Sequence, residues 1–392
     1  MTETNQTNEF ESICPFTDEE AVAALGKIAE HPAVSAVSKY IFPDEPDTFL
    51  KNALKQIHSV DEFQKAVMSK AVEWVVNNTA TSFTYDGLEN FSAVNGCFLA
   101  ISNHRDIILD PALTQYMLNQ NNLPMTQIAV GDNLLKNEYV ELLIRSNRMI
   151  KVIRGISARS LYLSSQLLSK YIRRNITEGI SSIWLAQREG RTKDGYDITE
   201  QGLLKMLDMS GQGSFTENFE ALNIIPLSIS YEYEPCDVLK ARELLISKSR
   251  KYVKSENEDL ISILTGIRQF KGNIHMSIGE PLTHEEIYQA SFCNKNDRYQ
   301  FIRHCVDRRI RDGYKLWKTN YMAYDILNGT PSKEAFYTAE EMDRFRKYIE
   351  GQLDSVLTGG GNEEKLDRDE LRKILLSIYS TPVSVKENPE SD

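Results

Sequence analysis

Ser102-Asn103-His104-Arg105-Asp106-Ile107-Ile108-Leu109-Asp110 is the stretch on which the reading of this 392-residue chain turns. It follows a short apolar run, Cys97-Phe98-Leu99-Ala100-Ile101. It precedes Pro111-Ala112-Leu113-Thr114-Gln115-Tyr116-Met117-Leu118, whose apolar residues have helical spacing. The pattern predicts a buried strand that delivers a histidine to its C-terminal tip, with carboxylates just inside the next helix. In open α/β sheets that edge is where ligands bind. A histidine held by a carboxylate can take a proton from a hydroxyl near neutral pH.

The same alternation extends from about Tyr85 onward. Strands are expected at 97–102, 126–130, 149–153, 181–187, 223–230 and 272–278, with helices at 110–119, 135–147 and 158–178. Strand–helix alternation of this kind predicts an αβ sandwich with a largely parallel central sheet, plus N- and C-terminal helical extensions. Residues 17–80 read as helical, opening at Thr17-Asp18-Glu19-Glu20 with a capping signature. From Tyr299 the chain reads as helical again. Gly359-Gly360-Gly361-Asn362 forms a flexible break, and a tail rich in Pro, Ser and Glu is expected to be disordered. The expected division is 1–84 helical, 85–298 α/β, 299–379 helical and 380–392 disordered.

Composition narrows the function. A net charge of −11 argues against a nucleic-acid binder, which needs a basic footprint. The charge is uneven, however: 151–174 holds Arg154, Arg159, Lys170, Arg173 and Arg174. A basic cleft on an acidic protein suits a phosphorylated small molecule or an anionic surface. The five cysteines form no CxxC pair, and their odd number and wide scatter point to reduced thiols and a cytosolic setting. Apolar runs fall far short of the roughly 18 residues that span a bilayer, and 1–11 lacks the features of a signal peptide. Membrane contact is therefore expected to be peripheral.

Four segments carry chemistry. A lone histidine is more often structural, but His104 has Asp106 and Asp110 within two helical turns. A carboxylate accepting the ring N–H would set the tautomer and raise basicity at the other nitrogen. His104-Arg105-Asp106 also spells the kinase catalytic-loop tripeptide. Pro111 stands where that loop needs Asn, and neither a glycine-rich loop nor Asp-Phe-Gly is present, which excludes that reading. The second segment, Trp184-Leu185-Ala186-Gln187-Arg188-Glu189-Gly190-Arg191-Thr192-Lys193, is an apolar strand running into a basic turn. Glycine there lets backbone approach a ligand, and Arg191 and Lys193 can converge on a phosphate. The third, Met149-Ile150-Lys151-Val152-Ile153-Arg154, is a strand ending in arginine. The fourth, Asn223-Ile224-Ile225-Pro226-Leu227-Ser228, is a strand with an internal proline, which shapes a pocket wall or marks a sheet edge.

In this order the four segments resemble the glycerophospholipid acyltransferase family, which includes glycerol-3-phosphate, dihydroxyacetone-phosphate and lysophosphatidate acyltransferases. That family carries a His-x4-Asp box, an arginine-ended strand, a Glu-Gly-x-Arg loop and a proline-containing strand. The matching residues here are Asn103-His104…Asp110, Val152-Ile153-Arg154, Glu189-Gly190-Arg191 and Ile225-Pro226. Val130-Gly131-Asp132-Asn133-Leu134-Leu135 and the stretch ending Gly279-Glu280-Pro281 resemble the glycerol-3-phosphate and dihydroxyacetone-phosphate branch. The likeness spans roughly residues 85–285. Two departures stand out: five residues rather than four separate His104 from Asp110, and the residue between Gly190 and Arg191 is missing. One extra residue turns a helical side chain by about 100°, so Asp106 is the alternative partner. Asp110 is preferred because Leu109-Asp110-Pro111 opens the helix as the family's Asp does.

The resemblance implies a fatty acyl transfer from an acyl thioester, acyl-CoA or acyl carrier protein, to a hydroxyl of glycerol-3-phosphate or a lysophospholipid. His104 and Asp110 would be catalytic, and Arg154, Glu189, Gly190, Arg191, Lys193 and Pro226 would bind substrate. No cofactor and no metal is implied; the expected partners are the donor, the acceptor and a membrane surface, at the inner face of the cytoplasmic membrane. The alternatives are a catalytically downgraded lipid-binding protein and an amino-acid-lipid acceptor.

Overall fold

The structure, a computed structural model, describes residues 9–135, 137–154, 157–357 and 366–388. Its centre is a seven-stranded sheet: β1 Ala80–Asp86, β2 Leu99–Ser102, β3 Gln127–Gly131, β4 Met149–Val152, β5 Ile183–Ala186, β6 Ile224–Tyr231 and β7 Gly272–Ile278. The strand order is β1-β7-β6-β2-β5-β3-β4, and every neighbouring pair is parallel except β6–β7. This is the largely parallel α/β sheet expected from the alternation. The tips of β2, β3, β4, β5 and β6 therefore share one edge of the sheet.

The helices, in chain order, are α1 Asp18–Ala29, α2 Val34–Ile41, α3 Phe49–Gln56, α4 Val60–Phe63, α5 Ser69–Thr79, α6 Leu109–Gln120, α7 Glu138–Ser146, α8 Ala158–Thr177, α9 Gln201–Asp208 and α10 Phe215–Glu220. They continue with α11 Asp237–Ser249, α12 Glu258–Arg268, α13 His284–Ser291, α14 Asp297–Gly313, α15 Lys318–Asn328, α16 Ala339–Leu357 and α17 Arg368–Glu387.

Buried on both faces, the central strands are apolar along their whole length. All four residues of β2 and all eight of β6 are buried. Alternate residues feed two cores. Leu99, Ile101, Ile183 and Leu185 meet α8, α9, α10, α13 and α14. Ala100, Trp184, Ile225 and Leu227 meet α5 and α6 on the opposite face. A third core joins α11 to α15, α16 and α17, and a fourth sits within the N-terminal helices.

The six expected strands form, and one is added. β1 follows α5 with no turn residue between Thr79 and Ala80. The helical reading therefore runs through it, and the boundary drawn at 84 falls inside this strand. The boundary at 299 falls inside α14, which packs on the sheet core through Tyr299, Ile302 and Ile310. The tail expected from 380 is likewise corrected as far as the described residues reach. α17 runs to Glu387 with Pro382 inside it, and Ser380, Pro382 and Val383 are buried. Tertiary packing outweighs the local cost of the proline. The glycine-rich break at 359–362 lies outside the described residues.

Candidate functional site

Asn103 fixes the chain as it leaves β2. Its Oδ1 accepts from the Ile229 amide at 2.7 Å, and its Nδ2 donates to Ile229 O and to Asp197 Oδ2. His104 follows, held at its carbonyl by the Thr192 amide at 2.7 Å. Its Nδ1 lies 2.9 Å from Asp110 Oδ2. The same Oδ2 accepts from the Arg105 and Asp106 amides at 2.5 and 2.9 Å, and Oδ1 accepts from Tyr231 Oη at 2.7 Å. Asp110 is fully buried in the first turn of α6, where the positive end of the helix dipole favours an anion. With donors converging on the carboxylate, the imidazole completes the set by donating from Nδ1. Nε2 is then the basic nitrogen.

The extra residue between His104 and Asp110 is absorbed in the 105–108 turn. Asp106 closes that turn: its Oδ1 accepts from the Ile108 and Leu109 amides at 2.9 and 2.8 Å. Asp106 therefore holds the turn that leads into α6, and Asp110 pairs with His104. Burial, followed by repulsion from Asp110, raises the Asp106 pKa above the usual carboxylate range. Burial likewise keeps the Tyr231 hydroxyl protonated, so it acts as a donor.

Arg105 is locked beneath the histidine. It is 1% exposed; Nη2 donates to Asp197 at 2.6 Å and Gly195 O at 3.2 Å, and Nη1 lies 3.4 Å from Glu234. Buried Lys240 closes the ring, donating to Glu234 at 2.6 Å and Arg105 O at 2.7 Å. A charged cluster this deep persists only because each group has partners. It ties the histidine turn to the 187–199 loop and to α11.

The other strand tips meet the same edge. Arg154, just past β4, places its guanidinium against Gly131, where a Cβ would lie 2.8 Å from Cζ. Its amide donates to Asp132 Oδ1 at 3.2 Å, and its Nη1 lies 3.5 Å from Glu189, which is exposed. Gly190 holds φ +71°, a left-handed conformation that favours glycine. Arg191 keeps Nη1 buried without a hydrogen-bond partner. Lys193 is ion-paired with Glu243 on α11. His104, Asp110, Arg154, Glu189, Gly190 and Arg191 thus gather at one edge.

Pro226 does not join them. It lies mid-strand opposite Ile101, and its neighbours Ile225 and Leu227 occupy the face that carries α6, so alternation turns Pro226 to the other face. Nor does it mark a sheet edge, because β6 is interior. Its carbonyl accepts from Gly279 N just beyond the last paired residue of β7, so the missing N–H falls where that ladder ends.

An apolar cavity of about 120 Å³ opens beside the histidine turn. Its lining includes Ile107, Ile108, Pro111, Tyr116, Leu134 and Leu143, and no Asp, Glu, Lys, Arg or His. Helix α12 roofs the edge. Asp259 Oδ2 accepts from Asn133 Nδ2 at 3.2 Å, the carbonyl of Ser262 takes the Cys236 thiol, and Gly266 lies against Asp106. A Cβ at 266 would sit 2.1 Å from Asp106 Oδ2.

The basic 151–174 segment divides. Arg173 donates to Ser210, Asn218 O and Leu207 O, while Lys170 and Arg174 pair with Glu9 and Glu178. Among its described residues, the N-terminal end with Arg154 is the part that reaches the site. Tyr231, Trp184 (whose ring meets that of His104 edge-on, centroids 5.9 Å apart) and the Arg105 cluster were not anticipated. They come from strands and loops distant in sequence, with no local spacing to mark them.

No protein-family model matches this chain, and no curated protein matches it in sequence. Among solved structures it is similar to the 1-acyl-sn-glycerophosphate (LPA) acyltransferase PlsC from Thermotoga maritima. The match is at 14% identity, covers 74% of this chain and 94% of that one, and has a TM-score of 0.39. A TM-score this low carries no inference about this chain.

Proposed function

We propose that this protein is an acyltransferase that moves a fatty acyl group from an acyl thioester, acyl-CoA or acyl carrier protein, to a hydroxyl of glycerol-3-phosphate or a lysophospholipid. One observation carries the reading: His104, paired with the buried Asp110, stands beside an apolar cavity, at the edge where Arg154 and Arg191 supply positive charge. His104 Nε2 takes the acceptor's hydroxyl proton as its oxygen attacks the thioester carbonyl. The tetrahedral intermediate then collapses, the carbon–sulfur bond breaks, and the imidazolium returns the proton to the leaving thiolate. Asp110 holds the ring and stabilises the transient imidazolium. The cavity takes the acyl chain.

Arg154 and Arg191 hold the acceptor phosphate, with Glu189 released from Arg154 as the anion arrives. Gly190 gives the backbone close approach. Lys193, held by Glu243, contributes less. Bringing the hydroxyl and carbonyl together supplies much of the rate. A lipid product places the protein at a membrane surface, the inner face of the cytoplasmic membrane; no described helix is long and apolar enough to cross one. The test is to incubate purified protein with acyl-CoA and acyl carrier protein thioesters and a panel of acceptors, reading products by mass. An acylated glycerol phosphate or phosphatidate is expected. Donor binding with no transfer to any phosphorylated acceptor would refute the enzyme and favour a lipid-binding protein.

A further inference from the structure

Helix α12 is apolar outward as well as inward, where Ile267 packs against the sheet core. Its inward face, over the site, presents Asp259, Ser262 and Gly266; its outward face presents Leu260, Ile261 and Leu264, which are 55%, 50% and 39% exposed. A surface helix normally turns its apolar stripe to the core. The first turns of α8 likewise expose Leu161, Tyr162 and Leu163 at 46%, 59% and 54%. Both segments belong to one edge of the sheet: α8 starts after the β4 tip, and α12 is tied to the β3 tip through Asn133. The rest of α8 is different. Leu168, Tyr171 and Ile172 are buried in the sheet core, so α8 is a sheet-covering helix beyond its first turns.

We propose that the outer face of α12, together with the first turns of α8, docks on a lipid bilayer and sets the active-site edge against it. This rests on the acyltransferase reading, which requires an acyl chain to reach the edge. The rim of the cavity reaches solvent at this edge: Leu143 lines it and is also 36% exposed, and Leu134, next to the Asn133 tie to α12, lines it too. An occupant of this rim is thus of the same chemistry as the occupant of the cavity, which selects acyl chains over a polar partner. Arg159 stands at an exposed position on α8 and Lys251 in the loop before α12, placed to meet anionic headgroups, while Arg268 stacks on the Tyr40 ring.

Flotation with vesicles of phosphatidylethanolamine and phosphatidylglycerol tests this on the full chain, independently of turnover. The wild type should float, and Leu260→Ser/Ile261→Ser/Leu264→Ser should lower partitioning at least tenfold. Its transfer to soluble glycerol-3-phosphate from a short-chain thioester should stay within about twofold. A second variant, Ile261→Trp, keeps an apolar residue, and its emission should shift to the blue when vesicles are added. The proposal falls if the triple variant floats as well as the wild type, if the wild type does not float, or if the emission of the Ile261→Trp variant does not shift. It also falls if the triple variant only dissociates a dimer. Lost flotation in a chain that transfers no acyl group would uphold the docking face and sink the acyltransferase reading.

Discussion

Replacing Asp110 with Asn tests the catalytic pair at its most exposed assumption, that the carboxylate's charge matters. The carboxamide fits: its oxygen can take the Oδ2 position and keep the Arg105, Asp106 and His104 donors, and its NH₂ can face Tyr231, whose hydroxyl turns to accept. Shape is preserved and charge is lost. With Nδ1 and Oδ2 2.9 Å apart, the centres of charge in the ion pair lie about 4 Å apart. At an effective dielectric of about 20 that attraction is about 4 kcal/mol. The imidazolium forms only as the reaction proceeds, so its loss falls on the barrier and lowers kcat about 10³-fold. Asp106→Asn should change kcat less than about threefold, because the Asn carbonyl oxygen can accept the same Ile108 and Leu109 amides. Steady-state acyl transfer, with circular dichroism to verify folding, reads both. A folded Asp110→Asn enzyme within tenfold of the wild type, or the opposite ranking, would refute the assignment.

Arg154→Ala should raise KM for a phosphorylated acceptor about tenfold, the value of one charge-assisted hydrogen bond, and leave the donor KM unchanged; an effect on the donor alone would assign Arg154 to the carrier. Tyr231→Phe removes a donor to the Asp110 anion and should destabilise the fold by about 1–3 kcal/mol. Denaturant unfolding reads this, and a Tyr231→Phe variant as stable as the wild type would reduce the hydroxyl to a packing role. Gly266→Ala forces a methyl group into the Asp106 carboxylate and should cost about 1–3 kcal/mol in denaturant unfolding. Wild-type stability in that variant would show that α12 does not rest on Asp106.

The strands β2 and β5 were legible because burial on both faces makes them continuous apolar runs, with His104 and the 189–193 turn at their ends; Arg154 ends the short, half-buried edge strand β4. Strand order was not legible. The placing of β6 beside β2 and of β7 beyond β6 depends on packing among distant segments, as does the antiparallel turn of β7 against β6. β1 escaped because helix and strand adjoin without a break at Thr79-Ala80. Within the site, Asp110 could be preferred from its place at the start of α6. Its four donors could not be foreseen, because Tyr231 lies more than a hundred residues away. Pro226 illustrates the opposite limit. A proline in an apolar run suggested a pocket wall or an edge, whereas it sits inside the sheet at the point where one neighbouring ladder ends.

The most direct measurement of the central claim is acyl transfer to glycerol-3-phosphate or a lysophospholipid by the wild type and by His104→Ala, under one set of conditions. His104 is 14% exposed at a strand tip and contributes little to the core, so the variant should fold. Loss of the general base should lower the rate about 10²–10⁴-fold while donor binding persists. A folded His104→Ala protein that transfers acyl groups within a few-fold of the wild type would contradict the account.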